Sequence, residues 1–345
     1  MTGGSVTAAE TGPQATGARQ TMRAITQSRY GSADVLHIEL VDQPTIGDDD
    51  VLIRVHAAGI DRETWHLMAG QPYAIRLASG LRRPRNRVPG LDVAGTVVAA
   101  GSAVTRFVAG DQVFGIGRGS FAEYTAARER KLVRKPGTLT FAQAAVLAVS
   151  GLAALQALQA ARVESGQTVL VVGASGGVGT FAVQIARALG AEVTGVAGPG
   201  TADLLRSIGA EHVIDYTRAD FAAGPHRYDA ILDIGGNASL ARLRRALTGH
   251  GALVIVGGED GGRWTGLGRQ VRALTLSPFL RQRLPWFISI PRQADLQRLA
   301  QLVDAGEVTP VLDQTYPLSE APAAMRQLVA GHVRGKLAIA VTESG

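Results

Sequence analysis

The chain has no cysteine in its 345 residues. That excludes disulfides, a thiolate nucleophile and every cysteine-ligated metal centre. Lysine is nearly missing too: Lys131, Lys135 and Lys336 stand alone among 35 basic residues, and the rest are arginine. Aromatic residues make up 5% of the chain and do not interleave with the basic clusters Leu81-Arg-Arg-Pro-Arg-Asn-Arg87, Arg128-Glu-Arg-Lys131 and Arg242-Leu-Arg-Arg245. Without stacking partners or a zinc-finger pattern, the net charge of +6 reads as a solvated arginine-rich surface, and no nucleic-acid partner is expected. Runs of about eighteen apolar residues are also missing, so no membrane span is expected. Residues 1–20, rich in Gly, Thr and Ala, lack the apolar core of a signal peptide; they read as a disordered tail on a cytoplasmic protein.

What the sequence does have is a phosphate-binding turn. Thr168-Val-Leu-Val-Val172 is a short β-branched run, and it ends in Gly173, Ala174, Ser175, Gly176, Gly177, Val178 and Gly179. Thr180 to Leu189 then follows at helical spacing, and Glu192 to Val196 reads as a second strand. A strand, a glycine turn and a helix start suit a diphosphate, because glycines let backbone N–H groups approach it and the helix dipole favours its charge.

The texture of the chain changes once. Before residue 140, short alternating runs (22–27, 35–41, 50–58, 95–100, 112–115 and 121–126) are separated by Gly, Pro and Asp, which predicts strands folding on themselves. From there helical periods begin, at 141–148 and 152–162, and βα units repeat. Strands are expected at 168–172, 192–196, 212–215, 229–233 and 252–256, with helices at 201–208 and 239–247 between them. That alternation predicts an α/β fold with a doubly wound parallel sheet of Rossmann type. A helix at 294–305 and a strand at 336–341 close the chain. The expected division is a β-rich substrate domain from 21–145 and 315–345, with the nucleotide domain, 146–314, inserted between.

This order, with the glycine turn and a C-terminal return, resembles the medium-chain dehydrogenase/reductase superfamily of zinc-type alcohol dehydrogenases, and within it the zinc-free quinone oxidoreductases. The resemblance spans residues 22–341 and rests on several segments taken together. They are Pro89-Gly-Leu-Asp-Val-Ala-Gly95, Gly110-Asp-Gln-Val-Phe-Gly115, Gly119-Ser-Phe-Ala-Glu-Tyr124, Val149-Ser-Gly-Leu-Ala-Ala-Leu155, Gly209-Ala-Glu-His-Val-Ile-Asp215 and Gly335-Lys336. It implies that the β-rich domain is GroES-like and that the protein is a homodimer. Zinc members of the superfamily carry a Cys-His pair and a Gly-His-Glu where this chain has Asp61-Arg62 and Gly90-Leu91-Asp92. Tetrahedral zinc wants soft or imidazole ligands, so no metal is expected.

In NAD-specific folds a carboxylate about twenty residues past the first glycine binds the ribose 2′-hydroxyl. Ala197 and Gly198 stand there instead, so NADP(H) is favoured over NAD(H), with Thr201 and, farther on, Arg206 available to a 2′-phosphate. The resemblance adds Tyr216 at the adenosine end, and Asp233-Ile-Gly235-Gly236 and Val256-Gly257 as strand-end turns near the ribose and nicotinamide. It also adds Ser277 and Lys336 as residues completing the nicotinamide or phosphate site. Substrate-facing groups in relatives lie on the segment matching Gly59 to Gly70, where Asp61, Thr64, His66 and Met68 depart from the usual pattern. His66, Tyr73 and Asp61 are the candidate catalytic residues, His66 or Tyr73 as proton donor.

With no metal to polarise an oxygen, activated acceptors are favoured over simple ketones. The expected activity is NADPH-dependent hydride transfer to quinones or α,β-unsaturated carbonyls. Two alternatives remain open at this point, a zinc-independent alcohol or aldehyde oxidoreductase and a nucleotide-binding sensor without turnover. No tyrosine has lysine four residues on, which removes the short-chain dehydrogenase class.

Overall fold

Alternating apolar residues between tight turns build the first part of the chain into antiparallel strands. The structure, a computed structural model, describes residues 20–257 and 266–342. The tail expected at 1–20, apart from Gln20, lies outside the described residues, as does Trp264, one of the aromatics of the segment after the last nucleotide strand. β1 (Thr21–Thr26) and β2 (His37–Asp42) pair antiparallel as a two-stranded ribbon. β3 (Asp50–Ile60) leads through α1 (Arg62–Ala69) and α2 (Arg76–Ser79) to β4 (Asp92–Ala100), β5 (Gln112–Ile116), β6 (Tyr124–Arg128) and β7 (Leu132–Arg134).

Along β3, Val51, Ile53 and Val55 are sealed inside while Arg54 points out, the period-two pattern of a strand buried on one face. α3 (Phe141–Ala144) and α4 (Ala148–Ala161) then carry the chain across. The helical period expected over 141–148 and 152–162 is divided differently: the first helix is one turn long, and the second starts at Ala148. A capping box, Thr140 with Gln143, sets the start of the short turn.

The second sheet is wholly parallel. It comprises β8 (Thr168–Val172), β9 (Glu192–Ala197), β10 (His212–Asp215), β11 (Tyr228–Asp233) and β12 (Leu247–Ile255), in the order β10-β9-β8-β11-β12. Val169, Leu170 and Val171 are fully buried in succession because helices cover both faces. α5 (Gly177–Ala188) and α6 (Ala202–Ser207) connect the first three strands, and α7 (Leu240–Ala246) precedes β12. α4 and α5 pack one face with α9 (Gln293–Asp304), through Leu155, Phe181 and Leu299. α7 and α8 (Gly268–Leu276) pack the other, through Leu243 and Ala273.

β13 (Leu312–Pro317), α10 (Ala321–Ala330) and β14 (Lys336–Ala340) return the chain to the first sheet. Its order is β13-β14-β3-β4-β5-β7, with β6 also on β3. The return places Gly335 and Lys336 against the glycine turn, with the Gly335 N–H donating to the Ser175 carbonyl at 2.8 Å.

Candidate dinucleotide and substrate site

Strand order reverses beside β8, where β9 lies to one side and β11 to the other. Ligands of doubly wound sheets sit at such a switch point, outside the carboxyl ends of the strands. Three turns meet there. Gly173 takes a positive φ of 87°, and a Cβ on it would stand 2.9 Å from the Gly235 nitrogen. The Ile234 and Gly235 N–H groups both donate to the Val172 carbonyl, and those of Val256 and Gly257 both donate to Asp233. The turns holding Gly235 and Gly236, and Val256 and Gly257, are thus bound edge to edge with Gly173.

α5 starts at Gly177 with Gly176 as its N-cap, and no side chain caps it. Its first-turn N–H groups, on Gly177, Val178 and Gly179, are the orphan donors every helix N-terminus presents, and an anion satisfies them. A Cβ on Gly179 would sit 2.2 Å from the Gly173 carbonyl oxygen, so only glycine allows the helix to press this close on the turn. At Gly176 a Cβ would meet nothing nearer than 3.6 Å, so the approach to the turn is open. Ala174 is buried against this turn, with its N–H bonded to Val196. The residues present fit a dinucleotide diphosphate.

The residues expected at the adenosine end lie beyond β9. A Cβ on Gly198 would stand 3.3 Å from the Tyr216 hydroxyl, and Thr201 donates its hydroxyl to the Gly198 carbonyl at 2.7 Å. Sequence reasoning missed one neighbour. Arg334 brings Nη2 to 3.3 Å from the Cβ position of Gly200, in the same loop. Only the C-terminal return brings that arginine here, and its place just before Gly335-Lys336 was the available signal.

Lys336 is the hub between the two sheets. A Cβ on Gly177 would be 2.7 Å from its Cδ, so the side chain lies directly on the first turn of α5. Its Nζ donates to Ser150 Oγ at 2.9 Å and lies 3.5 Å from Asp92 Oδ2 and 3.9 Å from Asp61 Oδ2. Asp92 accepts from the Val149 N–H at 2.7 Å, and Asp61 accepts from the Thr64 N–H at 2.7 Å, which N-caps α1. Burial pushes the Asp92 carboxyl up; the ammonium opposes that rise and the Asp61 carboxylate adds to it.

Asp61 and Asp92 are two of the positions where zinc members of the superfamily place ligands. Here they are carboxylates facing a lysine ammonium, and thiolate and imidazole donors are missing from those positions. That donor set does not fit a tetrahedral zinc. Among the described residues no group of three or more His, Asp or Glu is placed to hold a metal ion.

The other candidates lie farther along the same segment. His66, in the last turn of α1, pairs Nδ1 with the Gln71 carbonyl at 2.7 Å. Tyr73 is half-exposed, and the Arg76 guanidinium stacks on it and on Tyr30, 4.8 and 4.6 Å from the ring centroids. Gly266 approaches this segment from the nucleotide half, its Cβ position 2.6 Å from Pro72 Cγ, so the two halves meet over it. Ser277 starts a short 3₁₀ turn after α8. Of the three catalytic candidates, Lys336 connects Asp61 to the glycine turn, whereas His66 and Tyr73 are held by contacts near Gln71 and Arg76.

A second clamp was not legible in the sequence. Arg269 pairs with the fully buried Asp233 and donates to the carbonyls of Gly236 at 2.7 Å and Ala238 at 2.6 Å. It fixes the turn after β11. Burial raises the Asp233 carboxyl, and Arg269 pulls it back down.

Two family models match the chain: the alcohol dehydrogenase GroES-like domain over residues 47–137 and zinc-binding dehydrogenase over residues 208–339. A chloroplast envelope quinone oxidoreductase homolog of Arabidopsis thaliana is 31% identical, over 92% of this chain and 98% of that protein. An NADPH-dependent alkenal/one oxidoreductase of the same plant is 32% identical, over 92% and 79%. The structure of the quinone oxidoreductase from Coxiella burnetii superposes with a TM-score of 0.83 at 30% identity, covering 94% of this chain and 100% of that one. The chain therefore belongs to the zinc-type alcohol dehydrogenase, or medium-chain dehydrogenase/reductase, superfamily and is a quinone oxidoreductase-like member of it.

Proposed function

We propose that this protein is an NADPH-dependent reductase of quinones or α,β-unsaturated carbonyls that works without zinc. The observation that carries the reading is the position of Lys336, whose side chain lies on the diphosphate turn while its ammonium faces Asp61 and Asp92. The ammonium thus stands among the ligand positions of the zinc enzymes. Reduced nicotinamide, when bound, supplies the hydride. This chain's residues bind and orient: the uncapped first turn of α5 would hold the diphosphate, and the turns at Gly235 and Val256 would shape the pocket beyond it. Quinones and enones delocalise the charge left by hydride addition, so they do not need a Lewis acid on the oxygen. The names of the quinone and alkenal/one oxidoreductase relatives point to the same acceptors.

The preference for NADP(H) rests on the loop after β9, which offers no carboxylate to repel a 2′-phosphate and has the Arg334 guanidinium beside Gly200. A homodimer is part of the reading. Arg283 pairs with the edge strand β12, and past it the side chains of Trp286, Ile288 and Ile290 stand exposed in alternation, an apolar segment that a second copy would cover. No helix among the described residues is long and apolar enough to cross a membrane. We place the protein in the cytoplasm; several relatives are named for chloroplasts or mitochondria, so cell fractionation is the test of that placement.

The test of the activity is NADPH oxidation, followed at 340 nm, over a panel of quinones and enones. Turnover of at least one class supports the reading. Saturable NADPH binding with no turnover on any acceptor overturns it.

A further inference from the structure

Two of the three basic clusters in the sequence are answered by acids. Arg128 pairs with Asp49, and Arg242 pairs with Asp220. The third cluster differs. From Thr64 to Leu91 the chain has no acid, while Arg76, Arg82, Arg83, Arg85 and Arg87 are all cationic. Among the described residues only Arg87 of these five has an ion pair, with Glu39 at 3.0 Å. Arg82 and Arg83 are exposed, and their side chains have no partner among the described residues.

The same loop exposes leucine. Leu77, on α2, is 72% exposed, and Leu81, two residues past the end of α2, is 68% exposed. A fixed backbone presents them. Tyr30 donates its hydroxyl to the Gly80 carbonyl at 2.6 Å and lies 2.8 Å from Ser79 Oγ. The Arg85 N–H donates to the Ser79 carbonyl at 2.7 Å, so the chain folds back on itself between the two. Gly80, at a φ of 121°, makes that return, and a Cβ on it would stand 2.2 Å from the Arg83 carbonyl oxygen. Arg76 donates Nε to the Gly70 carbonyl at 2.9 Å, which ties the loop to the end of α1. Pro84 is buried. The bonds thus face inward, and two leucines and three arginines are left outside within nine residues of chain. A single exposed leucine is ordinary; two held out beside unpaired cations are not.

We propose that the loop from Arg76 to Arg87 docks the protein reversibly on an anionic lipid bilayer. Leu77 and Leu81 enter the boundary between headgroups and acyl chains, and Arg82, Arg83 and Arg85 take lipid phosphates and carboxylates. The inference goes beyond the reductase reading and does not depend on it. Charge complementarity selects an anionic partner, and the leucines select lipid among the anionic partners. A nucleic acid would engage the arginines and leave both leucines in water, whereas a bilayer satisfies both kinds of side chain. Guanidinium groups suit phosphate because they offer paired donors to its oxygens. The contact is peripheral, since no helix among the described residues is long and apolar enough to cross a membrane.

The test floats the full chain with vesicles of phosphatidylcholine alone, and with phosphatidylserine raised to about one third of the lipid. The protein should float with the anionic vesicles only, and about 0.5 M salt should release most of it. The double variant Arg82→Gln with Arg83→Gln should lower the partition coefficient by about 30-fold. The double variant Leu77→Ser with Leu81→Ser should lower it by about 10-fold or more. Both should keep the wild-type Tm and the wild-type Kd for NADPH, because all four side chains are exposed. Failure of the wild type to float with anionic vesicles at low salt overturns the proposal, as does undiminished binding by the arginine variant. Binding lost with the arginines but kept without the leucines also overturns it, because the surface would then fit an acidic protein or a nucleic acid instead.

Discussion

Lys336 and Asp92 form an ion pair closed to solvent, with Nζ 3.5 Å from Oδ2 and side-chain exposures of 2% and 0%. Two charges in such a place are tolerable only together. Attraction and the hydrogen bonds to Ser150 and Val149 offset the desolvation of each. Removing one partner strands the other. Lys336→Met should therefore destabilise the protein by about 3–5 kcal/mol, measured by denaturant unfolding with the slope unchanged. The double variant Lys336→Met with Asp92→Asn should regain part of that loss, because Asp92 no longer leaves a carboxylate alone, while the buried Asp61 still lacks its cation. Equal instability of the single and double variants would contradict the pairing.

The pH dependence of stability follows from the direction of the Asp92 shift. Burial raises its carboxyl above the unfolded value, so the unfolded chain gives up this proton at lower pH than the folded one does. The stabilising contribution is complete below the ordinary carboxylate range and is lost as pH climbs toward the raised value. Asp92→Asn, whose side-chain oxygen can still accept from Val149, should flatten that slope of Tm against pH in the mildly acidic range. An unchanged slope would assign the titration to another group.

Gly179→Ala tests the diphosphate turn. The added methyl would stand 2.2 Å from the Gly173 carbonyl, so α5 must move away from β8. The expected outcome is a loss of about 1–3 kcal/mol of stability from overpacking, with a clearly weaker Kd for NADPH by fluorescence titration. Gly137→Ala, where a Cβ meets nothing within 4 Å, is the control and should leave cofactor binding alone.

Arg334→Ala tests cofactor choice. A lost charge-assisted contact to a 2′-phosphate is worth about 1.5–3 kcal/mol, or about 10-fold to 100-fold in Kd. The variant should bind NADPH that much more weakly and NADH as before. Equal weakening for both cofactors would move Arg334 from the 2′-phosphate to a part the two share.

The nucleotide sheet was legible because its signals are local. The run at Thr168–Val172 and the glycines after it lie within one strand–turn–helix unit, and β9, β10 and β11 stand as expected. α1 was not expected, although Asp61 as N-cap and Gly70 in the left-handed conformation bound it, because its sequence Arg-Glu-Thr-Trp-His-Leu-Met-Ala has no clean apolar stripe. β13 escaped for a related reason, since Leu-Asp-Gln-Thr-Tyr-Pro is an edge strand exposed along most of its length. The site was half legible. Its glycines announce themselves through spacing, but the Asp61–Lys336–Asp92 cluster, the Arg269 clamp on Asp233 and the approach of Arg334 to Gly200 join residues far apart in the chain. No periodicity marks such contacts; only the return of β14 to β3 creates those of Lys336 and Arg334.

The central claim is hydride transfer from NADPH to an activated carbon, and its most direct measurement follows the hydride itself. The protein is supplied with NADPH deuterated at nicotinamide C4, one face at a time, together with an enone that it turns over, and the product is read by NMR. The account predicts one deuterium at the β-carbon from one face only, with the α-hydrogen coming from solvent. Oxidation of the labelled cofactor with no deuterium in the product, or with deuterium at the carbinol carbon of an allylic alcohol, would contradict it.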